Sequence, residues 1–110
     1  MFPRLEDMYK IIVIEDVRRE RIIGAGSLII EKKFIRDLGT SGHIEDIVVD
    51  KSYRGKNLGK RIIELLKGIA QVNECYKVIL DCADYNVAFY NKCGFYVKGV
   101  EMAWYINQSA

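Results

Sequence analysis

Apolar residues in the first half of the chain come in short β-branched runs separated by charged or turn-forming stretches, a pattern that predicts strands. YKIIVIE (residues 9–15) ends at the charged turn DVRRER, and IIGAGSLIIE (22–31) follows as its hairpin partner. KKFIRDLGTSG (32–42) predicts a loop with turn residues at its end. HIEDIVVD (43–50) predicts a third strand with two carboxylates between apolar neighbours.

The second half of the chain begins with helical spacing. YKVILDC (76–82) then predicts a strand, YNVAFYNKC a second helix capped by Asp84 and stopped by Gly94, and residues 95–106 a final strand. The apolar positions that recur at the helical period in the first helix are Leu58, Ile62, Leu65, Leu66 and Ile69.

This order of elements predicts the fold class. A hairpin, a third strand, a helix, a strand, a helix and a strand suit an α/β (α+β) fold, with a mixed, mostly antiparallel central sheet and helices packed on it. A chain of 110 residues suits one domain spanning 1–110. Because few helices surround the first hairpin, we expect one face of the sheet to be poorly covered.

Composition narrows the class of protein. Half of the residues are hydrophobic and the net charge is only +2, which argues against non-specific nucleic-acid binding. No apolar run approaches the roughly 20 residues of a membrane span, and the start MFPRLEDMYK lacks the basic-then-apolar order of a secretory signal. Cys75, Cys82 and Cys93 form an odd set without a C-x-x-C pair, which favours reduced thiols in a cytoplasmic compartment and no metal site.

The stretch RGKNLGK (residues 54–60, called the glycine loop below) opens the first helix and is the main candidate for binding chemistry. Helix N-termini present unpaired N–H groups and a positive dipole end, and glycines let a phosphate approach the main chain. The spacing matches neither a P-loop nor the G-x-G-x-x-G dinucleotide motif. Glycine spacing alone leaves a phosphate site and an unliganded basic loop equally open.

Three segments resemble the GNAT superfamily of acetyl-CoA-dependent N-acetyltransferases: GHIEDIVVDKSYRGKNLGKRII, CYKVILDC and NVAFYNKCGF. The superfamily motif R/Q-x-x-G-x-G/A is matched by Arg54, Asn57 and Gly59, with Asn57 in place of the central glycine. Asparagine tolerates left-handed backbone well, so this departure is mild. Within the superfamily, residues 9–102 are similar to the glucosamine-6-phosphate N-acetyltransferases, which implies a GNAT fold.

The resemblance implies acetyl-CoA as cosubstrate and no metal. Tyr90 matches a tyrosine that stabilises the departing thiolate, a role that suits a phenol; the alternative is an aromatic packed in the core. Asp81 matches an aspartate whose carbonyl positions the attacking amine, and a capping role is the alternative. The implied coenzyme-binding residues are Ile47, Val48, Val49, Arg54, Gly55, Lys56, Asn57, Leu58, Gly59, Lys60, Asn86 and Tyr90.

The resemblance also implies a site for a sugar phosphate. Adjacent strand residues face opposite sides, so Glu45 and Asp46 share a cleft only if the strand bulges; a wet strand face is the alternative for both. Lys33 and Arg36 suit a phosphate, or belong to a solvated loop. Cys82 fits a small buried side chain better than a nucleophile. The implied substrate-binding residues are Lys33, Phe34, Ile35, Arg36, Glu45, Asp46, Ile47, Tyr76 and Lys77.

The function implied is acetyl transfer from acetyl-CoA to the 2-amino group of glucosamine 6-phosphate by direct attack. The family forms homodimers that exchange C-terminal strands, and the apolar tail VEMAWYI fits that role. Trp104 and Tyr105 stand where several members carry an arginine, and the chain is expected to lack an N-terminal strand and helices. The alternatives are another amine acceptor, such as a polyamine or protein N-terminus, and a non-catalytic coenzyme A-binding or dimerisation module.

Overall fold

A computed structural model describes residues 8–33 and 39–107 of the chain. Its internal contacts divide the chain into two compact units, Met1–Leu80 and Asp81–Ala110. The expectation of one domain over residues 1–110 stays a prediction.

The elements of the first unit are β1 (Tyr9–Asp16), β2 (Arg21–Lys33), β3 (Gly39–Val49), α1 (Leu58–Val72) and β4 (Cys75–Ile79). Its strands form one sheet in the order β1-β2-β3-β4. β1 pairs with β2 and β2 with β3 in antiparallel fashion, whereas β3 and β4 run parallel. Helix α1 makes the crossover between the two parallel strands, as such a connection requires. This arrangement confirms the predicted mixed, mostly antiparallel sheet.

The core of this unit lies between α1 and one face of the sheet. Leu28 and Ile44 are cross-strand partners and are both buried, as are Ile62 and Leu66 on the helix. At Gly26 an added Cβ would lie 2.6 Å from an Ile62 methyl carbon, so the missing side chain lets the helix approach the strand closely. The apolar stripe of the helix is thus confirmed by its buried members, but the expectation that Leu65 belongs to it is wrong. Leu65 is 47% exposed because it lies at the edge of the packed face.

The opposite face of the sheet carries exposed apolar side chains. Ile11 and Val13 pair with Ser27 and Ala25, and side chains alternate between faces, so both point away from the face that carries Leu28. They are 65% and 52% exposed. The prediction that one face is poorly covered is therefore confirmed.

Two strand boundaries differ from the sequence prediction because pairing overrides local propensity. Gly39–Gly42 was expected to be loop, yet these residues begin β3 because they pair with β2, with Glu31 opposite Ser41. β4 stops at Ile79, well before Cys82, since its pairing with β3 ends there.

The second unit contains one short helix, α2 (Val87–Lys92), preceded by a 3₁₀ turn, Asp84–Asn86. Gly94 has φ +92° just past the helix, which confirms its predicted stopping role. The prediction that Asp84 caps a helix is wrong. Ala83 is the N-cap residue of the 3₁₀ turn, Asn86 is that of α2, and Asp84 lies inside the 3₁₀ turn.

The predicted final strand over residues 95–106 is also wrong for this structure. Residues 95–105 have no strand assignment, and within the described part of the chain none of them joins a ladder. A strand is defined by hydrogen bonds to a neighbour, so strand-forming composition alone does not produce one. Val100, Met102 and Trp104, at alternating positions, are each about 90% exposed.

Candidate functional site

A β-bulge shapes the middle of β3. Ala25 pairs with Val48 and Ser27 with Glu45, so two steps along β2 match three along β3. The inserted residue is Asp46, whose φ of +57° is left-handed. Because of this bulge, the side chains of Glu45 and Asp46 need not face opposite sides of the strand. The bulge also leaves main-chain groups at this point outside the regular ladder.

From Ile44 onward, the edge of β3 that faces β4 is unpaired within the described residues. Its parallel pairing with β4 ends at His43 opposite Ile79, and within the described residues no strand pairs with positions 44–49 on that side. Such an edge presents a row of backbone N–H and C=O groups that need partners. An extended ligand with amide groups can satisfy them as a strand would.

The chain turns sharply between β3 and α1. A 3₁₀ turn, Lys51–Tyr53, follows β3, and Arg54 is again extended. Gly55 then has φ +88°, and nothing lies within 4 Å of the place where a Cβ would stand. This conformation and the open space around it suit the close approach of a ligand to the main chain.

Asn57 is the N-cap residue of α1 and adopts φ +59°, ψ +23°. The left-handed backbone predicted for it in place of the motif glycine is therefore observed. Its side chain makes no capping hydrogen bond, and the first turn holds no acidic residue. The first bond of the helix runs from Arg61 N to Asn57 O at 3.0 Å. The amides of the first turn are thus available to an anion at the positive end of a 15-residue helix.

The cations of the glycine loop are exposed. Among the described residues, no carboxylate lies within ion-pair distance of Arg54, Lys56 or Lys60. The Lys56 Nζ lies 5.3 Å from the centre of the buried Tyr53 ring, which orients its ammonium. The loop therefore combines free amides with uncompensated positive charge.

Glu45, directly before the bulge residue, has two local partners. The Glu45 carbonyl accepts a hydrogen bond from Ser27 Oγ at 3.0 Å, and a Glu45 carboxylate oxygen lies 3.8 Å from His43 Nδ1. Asp46 is exposed. Ile47 points toward α1, since its Cδ1 approaches the position of a Cβ on Gly26, whereas Val48 is exposed.

The predicted sugar-phosphate residues lie at the other end of β3. Lys77 is the β4 partner of Ser41, and its Nζ lies 5.5 Å from the ring centre of Tyr76. The backbone of Lys33 pairs with Gly39 at the start of β3. These positions share one end of the sheet and the glycine loop lies at the other. Phe34, Ile35 and Arg36 lie outside the described residues.

The second unit holds the remaining candidates. Asp81 and Asn86 are exposed, while Tyr90 is half-buried. Asn86 directly precedes α2 and Tyr90 follows one turn later, so the two side chains lie on the same side of the helix. Burial raises the pKa of the Tyr90 phenol, and the nearby thiols of Cys82 and Cys93 raise it further.

The rings around Tyr90 fix its position. Phe89 and Phe95 contact it edge-on, with ring centres 5.0 and 6.2 Å away. The expectation that Cys82 is a buried side chain is wrong, because Cys82 is exposed and Cys93 is the buried thiol of this unit. The helix turns Cys93 inward, a placement that local apolar composition does not reveal.

No group of three or more His, Cys, Asp or Glu side chains within 8–33 and 39–107 is arranged to hold a metal ion. In the same ranges, no helix has the length and apolar character needed to cross a membrane.

Comparison with known proteins gives consistent matches. The model of the acetyltransferase (GNAT) family matches residues 2–95. Glucosamine 6-phosphate N-acetyltransferase 1 of Dictyostelium discoideum is 59% identical over 91% of this chain. The glucosamine 6-phosphate N-acetyltransferase of Schizosaccharomyces pombe is 44% identical over 92% of the chain.

The relatives differ in how much of their length the chain spans. It covers 64% of the Dictyostelium protein and 91% of the S. pombe protein. The crystal structure of glucosamine-6-phosphate N-acetyltransferase from Arabidopsis thaliana superimposes with a TM-score of 0.87 at 48% identity, covering 92% of this chain and 69% of that one.

Proposed function

Since the chain belongs to the acetyltransferase (GNAT) family, among its glucosamine 6-phosphate N-acetyltransferases, we propose that it transfers acetyl from acetyl-CoA to D-glucosamine 6-phosphate. The acceptor is the 2-amino group and the product is N-acetyl-D-glucosamine 6-phosphate, a precursor of UDP-N-acetylglucosamine. Coenzyme A leaves as the free thiol.

The observation that carries this proposal is the order of features along β3. The glycine loop follows its C-terminal end, the unpaired edge covers residues 44–49, and Lys77 lies beside its N-terminal part. A strand rises about 3.3 Å per residue, so the bulge at Asp46 lies roughly 10 Å from Val49. An extended coenzyme with its diphosphate on the loop would run along this edge and bring its thioester toward the bulge.

The pantetheine arm carries two amide groups, which suit the unpaired edge. Main-chain groups of Ile47, Val48 and Val49 would pair with these amides as a neighbouring strand does. The diphosphate would be held by the amides of residues 54–60 and by the free cations of Arg54, Lys56 and Lys60. Binding would then depend on backbone geometry with added charge, as at other phosphate-binding helix N-termini.

The chemistry requires no covalent enzyme intermediate. The neutral sugar amine attacks the thioester carbonyl, and main-chain N–H groups near the bulge stabilise the tetrahedral oxyanion. The carbon–sulfur bond then breaks, and the Tyr90 phenol donates a proton or hydrogen bond to the departing thiolate. The proton that the amine nitrogen loses on becoming an amide passes through solvent to the Tyr90 oxygen or to the thiolate, so coenzyme A leaves as the neutral thiol. The main-chain carbonyl of Asp81 holds the amine for attack.

We assign the acceptor phosphate to the end of the sheet that carries the backbone of Lys33 together with Tyr76 and Lys77. The family resemblance adds Phe34, Ile35 and Arg36, which lie outside the described residues. The cations suit a phosphate dianion. Glu45 and Asp46, near the middle of β3, would contact the sugar hydroxyl groups.

The protein is further proposed to act in the cytoplasm as a homodimer that exchanges its C-terminal segments. The exposed side chains of Val100, Met102 and Trp104 support dimerisation, because they form an apolar row on alternating positions. None of the three cysteines, all within the described residues, forms a disulfide, as is usual in a reducing compartment.

A thiol-release assay with a panel of amines tests the proposed reaction. We expect coenzyme A release from acetyl-CoA that depends on glucosamine 6-phosphate, with much weaker release when glucosamine lacks the phosphate. Release with spermidine or a peptide N-terminus, but not with the sugar, would assign a different acceptor. Coenzyme binding without turnover on any amine would identify a non-catalytic module.

A further inference from the structure

The last rung of the β1–β2 hairpin contacts the turn that leads into the glycine loop. Asp16 and Arg21 are partners across this rung. The Asp16 carboxylate accepts a hydrogen bond from the Tyr53 phenol, and the Arg21 guanidinium pairs with Asp50. These four residues are called the hairpin clamp. They join the first and last parts of the 3₁₀ turn to a single rung of the sheet.

The two aspartates of the hairpin clamp have the same pattern of contacts. Oδ1 of Asp16 accepts hydrogen bonds from the amides of Arg18 and Arg19 at 3.1 and 3.3 Å, while Oδ2 takes the Tyr53 hydroxyl. Oδ1 of Asp50 accepts the Ser52 amide at 2.9 Å, while Oδ2 takes Arg21. Each carboxylate therefore shapes its own turn with one oxygen and reaches the other segment with the second.

The Tyr53 side chain is held from several sides. It is only 8% exposed, and the Arg19 guanidinium and the Lys56 ammonium lie 6.0 and 5.3 Å from its ring centre. The hydrogen bond to Asp16 raises the pKa of the phenol and lowers the pKa of the carboxylate, so the donor and acceptor keep these roles across neutral pH. Tyr53 immediately precedes Arg54, the first residue of the glycine loop.

Apart from the contact between Lys56 and the Tyr53 ring, the described residues give the loop few contacts that hold it in place. Gly55 lies in open space, and the side chain of Asn57 makes no cap bond. A flexible loop loses entropy when it closes on a ligand, and this loss weakens binding. Fixing the residue directly before the loop restricts the loop in the free protein and reduces that loss.

We propose that Tyr53 and Asp16 are positioning residues that preorganise the glycine loop for the coenzyme diphosphate. This inference rests on the proposed function for the identity of the ligand. It assigns no chemical step to either residue. Their loss should therefore weaken coenzyme binding and leave the rate of the saturated enzyme unchanged.

The test compares Tyr53→Phe and Asp16→Asn with wild type, and Tyr85→Phe serves as a matched control because Tyr85 is 87% exposed in the second unit. Calorimetric titration gives the Kd for coenzyme A, and steady-state kinetics separates KM for acetyl-CoA from kcat. We expect both clamp variants to raise Kd and KM about tenfold, the usual effect of one lost hydrogen bond to a charged group. The Tyr85→Phe values should match wild type.

Hydrogen exchange on the ligand-free proteins gives a second readout. We expect faster exchange at residues 51–60 in Tyr53→Phe, with the protection of Ile62 and Leu66 in α1 retained. A clamp variant that merely destabilises the fold would lose protection in α1 as well, which would contradict the inference. Asp16→Asn keeps the turn contacts of Oδ1 and serves where Tyr53→Phe unfolds.

Wild-type Kd and wild-type exchange in both clamp variants would overturn the inference, as would a fall in kcat at unchanged Kd. Failure of the wild-type protein to bind coenzyme A would instead refute the proposed function. In that case, exchange at residues 51–60 still decides whether the hairpin clamp orders the loop.

Discussion

Ile44 and Ile47 lie three residues apart on β3, yet both side chains face helix α1. Ile44 is the partner of Leu28 on the buried face, and Ile47 lies against Gly26 on the same face. An unbroken strand would put them on opposite faces, so the extra residue at Asp46 is what changes the phase. The bulge therefore serves the core and the proposed thioester site at once.

The close approach of α1 to β2 predicts a large difference between two glycines. In Gly26→Ala the new Cβ would lie 2.6 Å from both Ile47 Cδ1 and Ile62 Cγ2. We expect a loss of about 1–3 kcal/mol in the free energy of unfolding, as for other overpacked cores. Urea denaturation measures it.

Gly68→Ala is the matched control, because Gly68 lies on helix α1 and nothing is found within 4 Å of the position of an added Cβ. Removing a glycine from a helix interior should raise stability by about 0.5–1 kcal/mol. Equal effects of the two substitutions would contradict the packing described between α1 and β2.

The left-handed backbone at Asn57 predicts a ranking of substitutions. Asn57→Gly should retain stability and coenzyme affinity, since glycine adopts φ +59° without strain. Asn57→Val should lose about 1–2 kcal/mol, because a β-branched residue is strained there. Thermal melts and coenzyme A titration check the order, and a valine variant equal to the glycine variant would refute it.

The assignment of Tyr90 predicts a defect in turnover with little change in binding. Tyr90→Phe should lower kcat about a hundredfold, a typical contribution of a general acid, with KM for acetyl-CoA nearly unchanged. Tyr85→Phe, just before the same helix, is the control. Wild-type turnover in Tyr90→Phe would remove the assigned role.

The same residue gives an expected pH dependence. Burial raises the pKa of Tyr90 above its ordinary value, so the phenol keeps its proton throughout the neutral and mildly alkaline range. Loss of kcat through its ionisation should therefore begin only above about pH 10. A decline of kcat at a pH well below 10 that disappears in Tyr90→Phe would contradict a raised pKa of the Tyr90 phenol.

The C-terminal segment predicts a change in oligomeric state. Trp104→Ser should weaken the proposed dimer, because it removes a large apolar side chain that is 89% exposed in the single chain. Glu101→Ser, on the alternate set of positions, should have little effect. Light scattering coupled to size exclusion gives the masses, and a Trp104→Ser protein that remains dimeric at micromolar concentration would exclude this contact.

Elements with strong local signals could be predicted from the sequence. The hairpin, the amphipathic α1, the turn at Gly94 and the left-handed Asn57 all follow from spacing or backbone preference. The strand at Gly39–Gly42 could not, because its pairing with β2 and β4 overrides its turn-forming composition. The strand predicted over 95–106 was wrong for the opposite reason. Its side chains suit a strand, but within the described residues no neighbouring strand pairs with it.

The candidate site shows the same division. The glycine loop is contiguous in sequence, so its helix-opening position and its free cations could be expected. The bulge at Asp46 could not be predicted outright, because its presence depends on the register between β3 and β2. The sequence shows only that Glu45 and Asp46 need a bulge in order to share a cleft. The hairpin clamp gave no signal, because Asp16 and Tyr53 are far apart in the chain and their contact depends on how the hairpin packs.

The end of the β3–β4 pairing at His43 affects how this protein tolerates mutation. In the proposed site the coenzyme takes the place of a neighbouring strand, so it would be recognised chiefly through main-chain atoms, which every amino acid except proline supplies in full. Along this unpaired edge of β3, substitutions of outward-facing side chains would then have little effect on coenzyme binding, whereas a single proline or a shift of register would abolish it. Sensitivity to mutation should accordingly follow hydrogen-bonding capacity more closely than side-chain chemistry.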